Sequence, residues 1–149
     1  MSVKQINPEE ANEFMQSDEG ALYIDVRTEP EFENGHPPNA INIPVVFPDS
    51  VTRQMMPNPE FIRVVEAHVG KGKRVIVGCQ RGGRSQHAGE LMVGAGYTDV
   101  SNMQGGFGGA RDPMGQIVAP GWLQMEYPVE NRVDDSNSYE GLKAVITEE

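Results

Sequence analysis

At 149 residues, with 38% hydrophobic and 23% charged residues, the chain fits one globular domain with one core, although 17 Gly and 11 Pro predict many loops. A formal net charge of -10 argues against a general nucleic-acid or anionic-membrane surface, which needs clustered Lys and Arg, so any anion site must be local. One cysteine excludes an internal disulfide and four-sulfur metal sites, and His36, His68 and His87 lack metal-ligand spacing, so no metal is expected. The first residues carry no apolar signal core and no stretch approaches the ~20 apolar residues of a membrane span, so a cytoplasmic, reducing location is expected.

In chain order, Asn7-Pro8-Glu9-Glu10 predicts a capped helix start, with Ala11, Phe14 and Met15 on one helical face. Ala21 to Val26 is short and nearly continuous in apolar residues, which suits a strand covered on both faces, with Asp25 interrupting it near its end. Ala40 to Pro44 is a second strand candidate that Pro44 closes. Asn58-Pro59 repeats the helix-start chemistry, and Phe61, Val64 and Val65 form an apolar stripe before Gly70. Arg74 to Gly78 is β-branched enough for a central strand, and Cys79 follows it directly. Ser85 is a candidate cap for a helix carrying Ala88, Leu91, Met92 and Ala95, with Gly96 as its stop, and Tyr97 to Asn102 returns to strand. This alternation predicts an α/β fold with a parallel sheet flanked by helices, whose functional groups gather beyond the carboxyl ends of the strands. From Gly105 to Gly121 the sequence reads as a long loop. Beyond Asn131 it reads as an acidic tail with at best a short docked segment at Ala144-Val145-Ile146.

The segment Cys79-Gln80-Arg81-Gly82-Gly83-Arg84-Ser85 carries the chemistry. Two glycines let consecutive backbone N–H groups turn inward as an anion-binding nest, and the following helix start with Arg81 and Arg84 favours thiolate. A lone cysteine is otherwise a small buried hydrophobe; strand, Cys, Gly turn, Arg and helix together make Cys79 a nucleophile.

Asp25-Val26-Arg27, Glu31-Phe32, Gly35-His36 and Ala40 to Pro44 resemble, in order and spacing, the first signature of the rhodanese family, and Cys79 to Ser85 resembles its active loop. The resemblance covers most of the chain. It implies a rhodanese-like central parallel sheet of about five strands wrapped by helices. It also implies sulfane sulfur transfer through a Cys79 persulfide, from thiosulfate or a related donor to cyanide, a thiol or a carrier protein, without a cofactor. Four residues separate Cys79 from Arg84, one fewer than in the Cys–Arg loops of tyrosine phosphatases, which suits a terminal sulfur better than phosphate. The rival readings are a non-catalytic rhodanese-like binding or sulfur-sensing module and, behind it, a phosphatase. The family's closing Gly-Gly and Trp are set far apart here, as Gly105-Gly106 and Trp122, while Trp122 to Pro128-Val129 keeps the usual interval. This places an inserted loop at about 107–121 within a domain of 1–130, ahead of a 131–149 tail, with the Trp-bearing helix retained. The insertion reads either as a surface excursion or as a lid or partner surface.

Arg81 at the loop tip is assigned to the donor's anionic end, and Arg84 to closing the loop through Glu31 or Asp25. Asp25 and Arg27 are read as an ion pair at the rim, and His36 as a structural hydrogen-bonding residue. His87 is the imaginable partner of a Cys–His dyad, which a preformed thiolate does not need. Gln80, Gly82, Gly83 and Ser85 complete the expected substrate loop.

Overall fold

The computed structural model describes residues 2–17 and 20–147. In chain order the elements are β1 (Lys4–Ile6), α1 (Pro8–Gln16), β2 (Leu22–Asp25), α2 (Glu29–Glu33), β3 (Ile41–Asn42), β4 (Val46–Pro48) and β5 (Met55–Pro57). They continue with α3 (Phe61–His68), β6 (Val75–Gly78), α4 (Gly83–Gly94), β7 (Val100–Met103), β8 (Ala110–Arg111), β9 (Ile117–Ala119) and α5 (Tyr139–Thr147). Five strands form one parallel sheet in the order β1-β7-β6-β2-β3, while β4-β5 and β8-β9 are separate antiparallel pairs. This is the five-stranded parallel sheet that the resemblance implies.

Period-two alternation sorts the strand residues into two cores. Ile24, Val26, Val75, Val77 and Val100 face α3, α4 and α5, whereas Ile6, Tyr23, Ile76 and Met103 face α1, Phe32, Phe107 and Trp122. The strand order reverses at β2: its chain continues to β3 on one side, and β6 lies on the other. Connections leaving β2 and β6 therefore diverge beyond their carboxyl ends, where open α/β sheets place their sites. The register pairs Asp25 with Gly78, so the chain leaves the two strands with Val26 beside Cys79 and Arg27 beside Gln80.

The α1 cap forms as its sequence predicts: Glu10 N donates to Asn7 Oδ1 at 2.8 Å and Asn7 N to Glu10 Oε1 at 3.1 Å. Other boundaries move. α3 begins at Phe61, because the Asn58 side chain caps a turn ahead of it, Oδ1 accepting from Glu60 N at 3.0 Å. Ser85 is not the cap of α4 but lies within its first turn, and the cap is Gly82 in the left-handed region at φ +117°, a conformation that side chains resist. Trp122 sits in a turn, not a helix; its backbone bonds to Gly106 and its indole N–H donates to Pro128 O at 2.8 Å.

Part of the 105–121 stretch is the β8-β9 hairpin. Beyond Asn131, α5 gives Tyr139, Leu142 and Ile146 to the larger core and is tied to α3 by His68 Nε2 against Leu142 O at 2.8 Å. The stripe that docks is thus spaced at helical intervals, and of the contiguous apolar run only Ile146 is buried, with Val145 exposed.

Candidate active site

Cys79 lies at the end of β6 and is 2% exposed. Its Sγ accepts from Gly82 N at 3.0 Å and from Ser85 N at 3.4 Å, and Ser85 Oγ stands 3.3 Å away. Two backbone N–H groups aimed at one sulfur from a turn and a helix start form a nest for negative charge on it. The turn is held from the other side. Phe107 N donates to Cys79 O at 2.8 Å and Gly108 N to Gln80 O at 3.0 Å. This approach depends on Gly106, at φ +62°, where a Cβ would stand 2.5 Å from Cys79 O.

Asp25 and Arg27 do not line an open rim. They are 1% and 3% exposed and brace the loop from beneath. Arg27 Nη2 donates to Asp25 Oδ2 at 2.7 Å and to Gly35 O at 2.7 Å, Arg27 Nη1 donates to Gln80 Oε1 at 3.2 Å, and the guanidinium stacks 4.5 Å over the Phe107 ring. Burial works to lower the Arg27 pKa, but the bond and charge of Asp25 outweigh it and leave the guanidinium firmly ionised. Tyr23, on the same strand as Asp25, has its phenol pushed well above the usual range by burial first and by Asp25 second.

Arg84 pairs with Glu31, Nη1 to Oε1 at 2.8 Å and Nη2 to Oε2 at 3.0 Å. Glu31 also receives Thr28 Oγ1 at 2.9 Å and Thr28 N at 3.2 Å, so one carboxylate caps α2 and anchors the first turn of α4. Burial works to raise the Glu31 pKa, but these bonds overcome it and hold it down at about 2. Arg84 is raised in return, first by the hydrogen bond to Glu31 and in smaller part by Cys79 and Asp25.

A cavity of about 280 Å³ opens over the sulfur, lined by Glu31, Cys79, Gln80, Arg81, Gly83 and Arg84. Arg81 is exposed, and its guanidinium has no ion-pair partner among the described residues. A second cavity of about 340 Å³ lies beside Tyr23, Lys73 and Trp122, at the starts of β2 and β6, and Cys79 does not line it. Gln80, expected among the substrate contacts, spends its side chain on Arg27, and its amide fills the space over Gly108. His36 is buried and fully engaged: Nδ1 faces Pro37 O at 2.9 Å, Nε2 faces Arg132 O at 2.8 Å, and the ring stacks on Phe32 at 3.8 Å. His87 is exposed and makes no bond to Cys79 among the described residues.

Two supports escaped the sequence reading. Phe107 looked like loop, and Asn102 looked like the end of a strand. Asn102 is 3% exposed and its Oδ1 lies 2.5 Å from Ser85 Oγ. A polar residue at an inward position of a buried strand was the available signal for it.

Among the described residues no helix is long and apolar enough to cross a membrane. The family model for the rhodanese-like domain matches residues 7–111. Senescence-associated protein DIN1 of Raphanus sativus is 38% identical over 111 residues, which are 74% of this chain and 53% of that one. The chain thus spans about half the length of that relative. Thiosulfate sulfurtransferase 16, chloroplastic, of Arabidopsis thaliana is 42% identical over 88 residues, 59% of this chain and 72% of that one. The crystal structure of Rv0390 from M. tuberculosis superposes with a TM-score of 0.73 at 26% identity, covering 89% of this chain and all of its own. With its fold and the order of its motifs in agreement with these matches, the chain belongs to the rhodanese-like domain family.

Proposed function

We propose that the protein is a sulfurtransferase that carries sulfane sulfur on Cys79. The observation that carries this reading is the nest at Sγ, in which two backbone N–H groups converge on one buried sulfur beneath a small cavity that Arg81, without an ion-pair partner among the described residues, also lines. In the first half-reaction the Cys79 thiolate attacks the outer sulfur of thiosulfate. The S–S bond of the donor breaks, its electron pair leaves with sulfite, and a Cys79 persulfide anion remains. In the second half-reaction a thiophile such as cyanide or a thiolate attacks the terminal sulfur, and the Cys79 thiolate returns as the leaving group. Neither half consumes an external electron or needs a cofactor. Arg81 supports capture of the sulfonate end by a fork of charge-assisted hydrogen bonds. Arg84, committed to Glu31, holds the loop. A reducing compartment such as the cytoplasm suits a lone thiol that must stay free between turnovers.

Intact-mass measurement after incubation with thiosulfate tests the reading. We expect a gain of one sulfur atom that cyanide removes as thiocyanate, and no gain in Cys79→Ser. No gain in the wild type would overturn it in favour of a binding module. Arg81→Ala should slow loading from thiosulfate about tenfold and leave discharge of a loaded enzyme nearly unchanged, since the charge-assisted contact to the donor is lost. Equal losses in both halves would instead make Arg81 part of the loop's scaffold.

A further inference from the structure

The hydroxyl of Ser85 stands among three acceptors. It lies 3.3 Å from Cys79 Sγ, 3.2 Å from Gly82 O and 2.5 Å from Asn102 Oδ1. A hydroxyl has one proton to give and Asn102 is the nearest of the three, so whether it receives that proton depends on which way its amide faces. That orientation is fixed by the backbone: Asn102 Nδ2 lies 3.4 Å from Gly82 O, which can only accept, and 3.0 Å from Gln5 Oε1 and 3.3 Å from Gln86 Oε1. Gln5 is the residue directly beside Asn102 in the β1-β7 register, and its own amide N–H donates to Gln86. With Nδ2 turned to these oxygens, Oδ1 must face Ser85 Oγ, which therefore donates to Asn102 and presents lone pairs to the sulfur.

We propose that Asn102 is a positioning residue that takes the Ser85 hydroxyl proton while Cys79 is neutral and yields it when the sulfur becomes negatively charged. The neutral thiol is then accommodated, because its S–H has the Ser85 oxygen to donate to. The thiolate, and equally a persulfide anion, draws the hydroxyl across and gains a third donor beside Gly82 N and Ser85 N. That gain is reduced by what Asn102 loses, so Asn102 limits how strongly Ser85 favours the anion. The other titratable or charged groups around the sulfur are Tyr23 and Asp25 on β2, Arg27 after it, Glu31 on α2, and Arg81 and Arg84 flanking the turn. β7 and the 105–109 segment bring none. All of these groups are common to the variants compared below.

The inference rests on Cys79 as the reacting group of the proposed function. Its test is alkylation of Cys79 by iodoacetamide across a pH series, which uses no sulfur donor and stands whether or not thiosulfate loads the enzyme. Below the wild-type midpoint, Asn102→Ala should alkylate about tenfold faster, the worth of one released hydrogen bond to a charged group. Ser85→Ala alone should slow alkylation by no more than about threefold, because in the wild type the hydroxyl is shared. In the Asn102→Ala background the same Ser85→Ala change should slow it about tenfold. Alkylation of Asn102→Ala that is unchanged or slower overturns the proposal, as does a faster rate that persists without the Ser85 hydroxyl. Circular dichroism checks each variant. If Asn102→Ala does not fold, Ser85→Ala alone decides, because a tenfold slowing in that variant would show an unshared donor and sink the idea.

Discussion

The turn from Cys79 to Ser85 and the β8-β9 hairpin are both short excursions beyond the sheet, yet they are held in opposite ways. The Cys79–Ser85 turn is fixed by distant parts of the chain. Phe107 and Gly108 bond its carbonyls, Arg27 holds Gln80, and Glu31 anchors Arg84. The hairpin is fixed by itself: Asp112 N donates to Gln116 O at 2.9 Å, Asp112 Oδ1 accepts from Met114 N and Gln116 N, and Arg111 Nη1 reaches Gly115 O. Two of its apolar side chains face solvent, Met114 at 86% and Val118 at 64% exposure. A segment whose hydrogen bonds end elsewhere in the molecule should transmit remote damage, and one whose bonds close on themselves should not.

The largest test of this contrast is Asp25→Ala. It leaves the Arg27 guanidinium buried without its carboxylate, a change that typically costs about 3–5 kcal/mol. We expect a lower urea midpoint together with slower sulfur loading, although Asp25 does not line the cavity over the sulfur. A loss below about 1 kcal/mol would show that the turn is not braced through this pair.

A smaller effect is expected at Glu31, where the sign follows from its depressed pKa of about 2 against an ordinary value of 4.5. The stabilisation is complete above about 4.5 and is lost as the pH falls toward 2. Its size should be about 1–2 kcal/mol, because roughly a third of the carboxylate side chain meets solvent and screening weakens the pair. Urea melts of wild type and Glu31→Gln at near-neutral and acid pH should converge as the acid limb is descended. Parallel curves would remove Glu31 from the acid response.

The smallest effect belongs to the hairpin. Met114→Ser should change stability by no more than about 0.5 kcal/mol and leave sulfur loading untouched. A clear loss of loading would tie the hairpin to the site and erase the contrast.

Particular residues show how much was legible beforehand. Val75 to Gly78 reads as a central strand because four small or β-branched residues in a row have no exposed face, and all four are buried. Cys79, the two glycines and the arginines name the turn by composition. β1 escaped because Lys4-Gln5-Ile6 has two exposed positions and becomes a strand only by pairing with β7. The β4-β5 hairpin escaped for a similar reason, since Met55 to Pro57 are all exposed and carry no burial pattern. Tyr139, Leu142 and Ile146 were hidden in an acidic stretch, where their helical spacing gains meaning only once α3 offers a surface.

By itself the sequence determined the alternation of strands and helices and the composition and length of the turn from Cys79 to Ser85, because these depend on near neighbours along the chain. The tertiary structure decided which charges meet. The sequence left Arg84 with either Glu31 or Asp25, and the fold gives it Glu31 because Arg27 occupies Asp25. It also turned the Gln80 side chain to Arg27 and set Asn102 behind Ser85, at separations of 53 and 17 residues. Contacts of that range follow from sheet order and register, and hydrogen-bonding groups such as these have many chemically equivalent partners until packing removes all but one.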